Sequence, residues 1–385
     1  MKPSVAVGLL LSAAHVGFGF PHKAHLPSLY VDIAPQSPRP YVIAKDGGEA
    51  VRVGSEVDRF LVTGNSSGGA FSFIPANGPY NTALNVVPHM HKKHYESFYC
   101  SKGRALIWAK SNTTESSNLD EEGRLFAQGD YAAIPPNTVH AFEFVDPDTE
   151  WLVVFVPGGT LEDLLATIKD GVYPSPIGSE YNPDPAIVNK TGGNPAVLES
   201  LLNAPETFDN YPQLDFTPRR DFVDGIAGSG NWHNGSNTLA GNSKTPNFIA
   251  NNFGPKFLNE EDGVFKIITP LVTGNQTDDQ FTMGTITLSK LLPNQTATEA
   301  TAKYATGLHL QEGELTVEVD QYETAQLIDG DLIFLPQGTT FRFFASAPET
   351  KFLYVIGGPD GLDYELLQNS KPWEFASYPQ YPSDE

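Results

Sequence analysis

The chain has 385 residues, a formal net charge of −22, 35 glycines, 31 prolines and 11% aromatic side chains. Its length holds two domains of ordinary size. Its excess of acid excludes nucleic acid and anionic membrane surfaces as partners, because both are gripped by clustered Lys and Arg.

The first segment reads as a secretory signal, residues 1–19. Lys2 gives the positive start, an apolar run extends from Val5 to Phe18, and the small residues Gly17 and Gly19 precede Phe20. No other stretch is long and apolar enough to cross a bilayer. Six Asn-x-Ser/Thr triplets, at Asn65, Asn112, Asn189, Asn234, Asn275 and Asn294, fit export. The expectation is therefore a secreted, extracellular, N-glycosylated protein, monomer or homodimer. The single cysteine, Cys100, has no intrachain partner and sits in a strand-like run, where it reads as a small core residue.

The glycine and proline content favours short strands joined by turns, and the strands come in two copies. "LVTGN" stands at Leu61–Asn65 and again at Leu271–Asn275, an offset of 210. "GDYAAIPPNTVHAFEF" from Gly129 matches "GDLIFLPQGTTFRFFA" from Gly330, an offset of 201. The difference is an insertion in the first copy around "SNTTESSNLDEEG". Two β domains from an internal duplication follow, at 20–171 and 256–385. Helix "TLEDLLATIKDG" opens with Thr160 as its N-cap and ends before Gly171. Residues 172–255 form a long irregular linker with short helical pieces such as "NPAVLESLLNA". A connection of this length is ordered by packing and can help close a site.

Nine histidines occur in the chain, and three fall in "VPHMHKKHYESFYCSKG". On a strand, His89 and His91 share a face, as residues i and i+2 do. A turn over "KKHY" returns the chain so that Glu96 faces the same way, and Gly103 turns into the next strand. "GDYAAIPPNTVH" ends on His140 and pairs back into the same barrel. His94 falls between these positions, on the turn and pointing elsewhere. His15, His22 and His25 lie in or beside the signal. His233 and His309 are isolated and read as solvated or core residues.

His89-x-His91-x4-Glu96-x6-Gly103 resembles the first cupin motif. Gly129-x5-Pro135-x-Asn137-x2-His140 resembles the second, with Asn137 where glycine is usual and Phe144 where asparagine is often found. The fold class implied is all-β, with two cupin jelly-roll barrels. His89, His91, Glu96 and His140 would hold one mononuclear transition metal, and this donor set accepts Cu, Ni, Fe, Mn, Co or Zn. At the two offsets the second copy has Glu299, Thr301, Thr306 and Phe341 in place of these four, so the C-terminal domain lacks metal ligands. One loaded N-terminal barrel and one empty C-terminal barrel is similar to the fungal-type quercetin 2,3-dioxygenases.

That resemblance implies copper(II), O2 and a flavonol such as quercetin, opened to a depside with release of carbon monoxide. It implies Glu96 as both ligand and general base for the 3-hydroxyl. If Glu96 points inward, so does Phe98; if His140 does, so do Phe142 and Phe144. The resemblance places Phe98 and Phe142 against the substrate. Two alternatives stay open. One is a cupin acting on another phenolic or polyketide-derived aromatic, its entrance reshaped by Trp151 and the insertion at 112–123. The other is a non-catalytic secreted protein that holds a small phenolic.

Overall fold

The computed structural model describes residues 26–81, 84–111, 121–173, 180–182, 199 and 201–379. The signal segment, Asn112 and Asn189 lie outside these residues. Of the helical piece anticipated at 194–204, residues 199 and 201–203 are described as helical.

Alternating, turn-punctuated sequence builds two sandwiches of antiparallel sheets. In the first, a large sheet orders its central strands as Glu56–Phe60, Ser72–Gly78, Thr149–Val156, Tyr95–Lys102 and Tyr131–Ile134. The facing sheet runs His89–Met90, Thr138–Phe144, Ala105–Ser111 and Glu121–Phe126. The second sandwich repeats both orders with Lys266–Val272, Thr282–Ser289, Glu349–Ile356, Thr306–Glu312 and Leu332–Leu335, opposite Thr298–Thr301, Thr340–Ala345, Leu315–Val319 and Ala325–Leu327. The duplication legible in sequence is thus a duplication of strand order. Gly103 makes its turn at φ 70°, and a Cβ there would come within 2.8 Å of the Asp148 carbonyl oxygen.

Hydrogen bonding crosses the divisions drawn from sequence. Tyr41–Ile43 precedes the first barrel yet pairs with Leu332–Leu335 of the second. Asn247–Ile249 lies in the linker and pairs with Tyr131–Ile134 of the first. Each barrel's lead-in segment therefore covers a sheet edge of the other, which removes two rows of unpaired backbone groups.

Among the described residues three apolar cores result. One fills the C-terminal barrel around Ile268, Leu308, Phe341 and Phe343. One lies inside the N-terminal barrel and includes Phe98, Cys100, Phe142 and Trp151. The third lies between the barrels, where Phe73, Tyr99, Leu152 and Val154 meet Met283, Phe334, Leu353 and Val355. Because the large sheets are covered on both faces, strands such as Thr282–Ser289 are buried along their whole length. Cys100 is fully buried, as expected of a core residue. Among the described residues no helix is long and apolar enough to cross a membrane.

Candidate metal centre

His89 and His140 stand directly opposite each other on neighbouring strands of the smaller N-terminal sheet. Glu96 comes from the large sheet, on the strand Tyr95–Lys102. The donor atoms of His89, His91, Glu96 and His140 lie within 4.8 Å of one another, and all four residues are buried. The four residues picked from the sequence are therefore together. His94 is not among them. Its Nδ1 lies 2.7 Å from an Asp209 carboxylate oxygen, and its ring stacks on Phe155 at 4.6 Å.

Hydrogen bonds set the tautomers. The Nδ1 of His89 lies 2.9 Å from the Val87 carbonyl oxygen, that of His91 2.7 Å from the Asp209 carbonyl, and that of His140 3.1 Å from the Thr138 carbonyl. A carbonyl only accepts, so each Nδ1 carries a proton that it donates. In the neutral imidazole this leaves every Nε2 as a lone pair. The Nε2 atoms of His140 and His91 face Glu96 Oε2 at 2.8 and 3.2 Å. Lone pairs so placed around a carboxylate call for protons or a cation between them, and this set fits one transition metal ion.

The electrostatics agree. Burial pushes His89 well below the ordinary histidine range, helped by the neighbouring His140 and His91. Burial also works against the imidazolium of His91, but its hydrogen bond and charge contact with Glu96 outweigh this and raise it. Burial would neutralise Glu96, yet its contacts with His140 and His91 hold the carboxyl far below the usual range.

The turn that follows His91 is held from the linker. Asp209 accepts from the main-chain N–H groups of Lys92, Lys93 and His94, and Tyr211–Pro212 pairs with His89–Met90. Asn137, where glycine is usual, adopts φ 63°, which asparagine tolerates, and donates its N–H to the His91 carbonyl at 2.6 Å.

A largely apolar cavity reaches the donors. Phe98, Phe142 and Trp151 wall it, with ring centroids of Phe98 and Phe142 at 4.4 and 4.1 Å from Trp151. Trp151 is fully buried, which corrects its reading as an entrance residue. Phe144 packs behind the wall, 5.4 Å from Phe142. Leu161, Leu164 and Leu165 of the helix Thr160–Ile168, whose N-cap is Gly159 and not Thr160, line another side, with Leu201 and Pro212 from the linker. The cavity also contains Glu56 and Asp58, which the sequence reading passed over. Among the described residues the two remaining histidines separate: His309 is buried between the barrels, stacked on Phe73 at 5.3 Å, whereas His233 is on the surface, 3.0 Å from Asp130.

The second barrel has none of these donors, but register corrects the positions compared. Ala300 pairs with Phe341 as His89 pairs with His140. The Ala302 carbonyl accepts from Gly338 as that of His91 does from Asn137. The counterparts of the first two histidines are thus Ala300 and Ala302, both buried, and not the exposed Glu299 and Thr301. The loop after His91 is one residue longer than its counterpart.

No family model matches the chain. A quercetin 2,3-dioxygenase of Aspergillus japonicus is 39% identical over 355 residues, which cover 91% of this chain and 98% of that protein. This chain belongs to the quercetin 2,3-dioxygenase family. A second quercetin 2,3-dioxygenase, from Bacillus subtilis (strain 168), is 26% identical over 136 residues, 35% of this chain and 36% of its own. Among solved structures, procruciferin, an 11S globulin from Brassica napus, aligns over 89% of this chain and 87% of its own with a TM-score of 0.49 at 11% identity.

Proposed function

We propose that this chain is a secreted, N-glycosylated dioxygenase that opens the central ring of flavonols such as quercetin with O2, giving a depside and carbon monoxide. The observation that carries this reading is an aromatic-walled cavity lined by His89 and Glu96, two members of the buried donor cluster His89, His91, Glu96 and His140. His89, His91, His140 and Glu96 are assigned to a single metal. Copper(II) follows from the family resemblance, and Ni, Fe, Mn or Co would suit the same donors.

When bound, the metal supplies Lewis acidity toward an enolic oxygen. The protein's own work is acid–base chemistry and positioning. Glu96, held as the anion, takes the proton of the flavonol 3-hydroxyl. Phe98 and Phe142 receive the flat ring faces. The apolar walls exclude water from the electron-rich flavonolate. Secretion is supported by the four described sequon asparagines, Asn65, Asn234, Asn275 and Asn294, all of which are exposed.

The test is quercetin consumption with gas analysis for carbon monoxide, together with metal analysis of protein purified without added metal. Consumption without carbon monoxide would indicate different chemistry on a phenolic. Binding without consumption would indicate a carrier.

A further inference from the structure

Glu56 and Asp58 alternate on the strand Glu56–Phe60 and face into the cavity, only 7% and 5% exposed. The fold does not ask for acids there. By register Asp58 pairs with Ala76 as Ile268 pairs with Ile286 in the other barrel, where Ile268 is ordinary core. Among the described residues, Asp58 Oδ2 is buried with no hydrogen-bond partner, and so is Trp151 Nε1 on the same cavity wall. Asn85 also lines the cavity, its Oδ1 already taken by the Phe144 N–H at 2.8 Å. An acceptor and a donor left unpaired in one cavity are costly unless a ligand meets them.

Their position relative to the metal donors is set by register. Asp58 is aligned through Ala76 and Trp151 with Cys100. Cys100 lies two inward-facing residues beyond Glu96 on its strand, about 13 Å along it, and Asp58 is three strands across. A ligand that reaches from the metal to Asp58 is therefore elongated, with more than one ring.

We propose that Glu56 and Asp58 form a hydroxyl-recognition subsite remote from the metal donors, selecting substrates whose distal ring carries free phenolic hydroxyls. This rests on the flavonol reading above. Burial, with Asp58 as neighbour, pushes Glu56 well above the carboxylate range, and burial raises Asp58 to about 7. The pair therefore retains a proton near neutrality and offers both a donor and an acceptor, which suits adjacent hydroxyls.

The experiment compares quercetin with 3-hydroxyflavone, which keeps the chelating hydroxyl and carbonyl but has no other hydroxyl. Dissociation constants are read from tryptophan fluorescence of metal-free protein, and kcat/KM from metal-loaded protein. The parent should prefer quercetin, and Asp58→Leu should shrink that preference by about tenfold in binding, the worth of one hydrogen bond to a buried polar group. Asp58→Asn should retain most of it. Should the leucine variant fail to fold, Glu56→Gln takes its place. A parent without preference, or a preference unchanged in Asp58→Leu, overturns the subsite. Preferential binding without turnover would remove the flavonol reaction and leave the subsite. Turnover of both compounds without preference would do the reverse.

Discussion

The main-chain carbonyl of Asp209 accepts the Nδ1 proton of His91 at 2.7 Å, although 118 residues separate them in sequence. The carboxylate of the same residue ties down the N–H groups of Lys93 and His94 at 2.8 and 3.2 Å. The linker thus orients one of the metal donors. Asp209→Ala would release the turn after His91, let the carbonyl drift and loosen that imidazole. The expected outcome is a fall in metal affinity of about 10- to 100-fold, as for other partners that orient a ligating histidine. Competition with a coloured chelator measures it. Parent-like affinity would show that the turn holds its shape without the carboxylate.

Glu96 and His91 should separate when each is altered. In Glu96→Gln the side chain keeps its size and one oxygen, while three imidazoles remain, so metal should still be retained. The proposed base is lost, and quercetin turnover should fall by about 10²- to 10⁴-fold. His91→Ala removes a nitrogen donor and should lower metal content directly. Metal analysis alongside kcat distinguishes the two. A glutamine variant with parental turnover would take Glu96 out of the proton transfer.

The donors were legible because their chemistry is written in local spacing. An i, i+2 histidine pair followed by a carboxylate has one reading on a strand, and His140 closes a second motif. The cavity acids were not legible, because "SEVDRF" shows the same alternation whether Glu56 and Asp58 face water or a barrel interior. Only the pairing of Asp58 with Ala76 decides which face is inside. Asp209 was illegible for a different reason. Its contacts are with a turn more than a hundred residues away, and no period or motif in the linker marks it. Fixed offsets also slipped by one residue at Ala300 and Ala302, since a single-residue change in the turn after His91 moves the comparison to the opposite face of a strand.

His309 makes the contact between barrels sensitive to acid. Its ring is buried against Phe73, and its Nδ1 lies 2.5 Å from Gln311 Nε2, so Nδ1 is the acceptor. Burial, with Lys45 adding repulsion, pulls the group down to about 3. The folded protein therefore binds fewer protons at this site than the unfolded chain between about pH 6.5 and 3, and stability from this group is lost as pH falls through that window. Each unit of separation is worth about 1.4 kcal/mol. His309→Gln should flatten the decline, so that the denaturant midpoint of the variant gains on the parent as the solution is acidified. Parallel curves would mean that His309 takes up its proton without opening the interface.

Asp58 has the opposite sign over an overlapping interval. Burial lifts it from an ordinary 3.8 to about 7, so the folded state holds a proton that the unfolded chain gives up. Stability from this site is present at low pH and declines as pH rises from about 4 to 7. Asp58→Asn keeps the shape and cannot ionise. It should be more stable than the parent at about pH 8, with the difference closing below about pH 4. Urea unfolding at the two pH values reads this directly. A variant that gains nothing at the higher pH would mean that Asp58 ionises inside the cavity at no cost. The unpartnered oxygen would then have solvent to meet it, and the case for a substrate hydroxyl at that position would lose its main support.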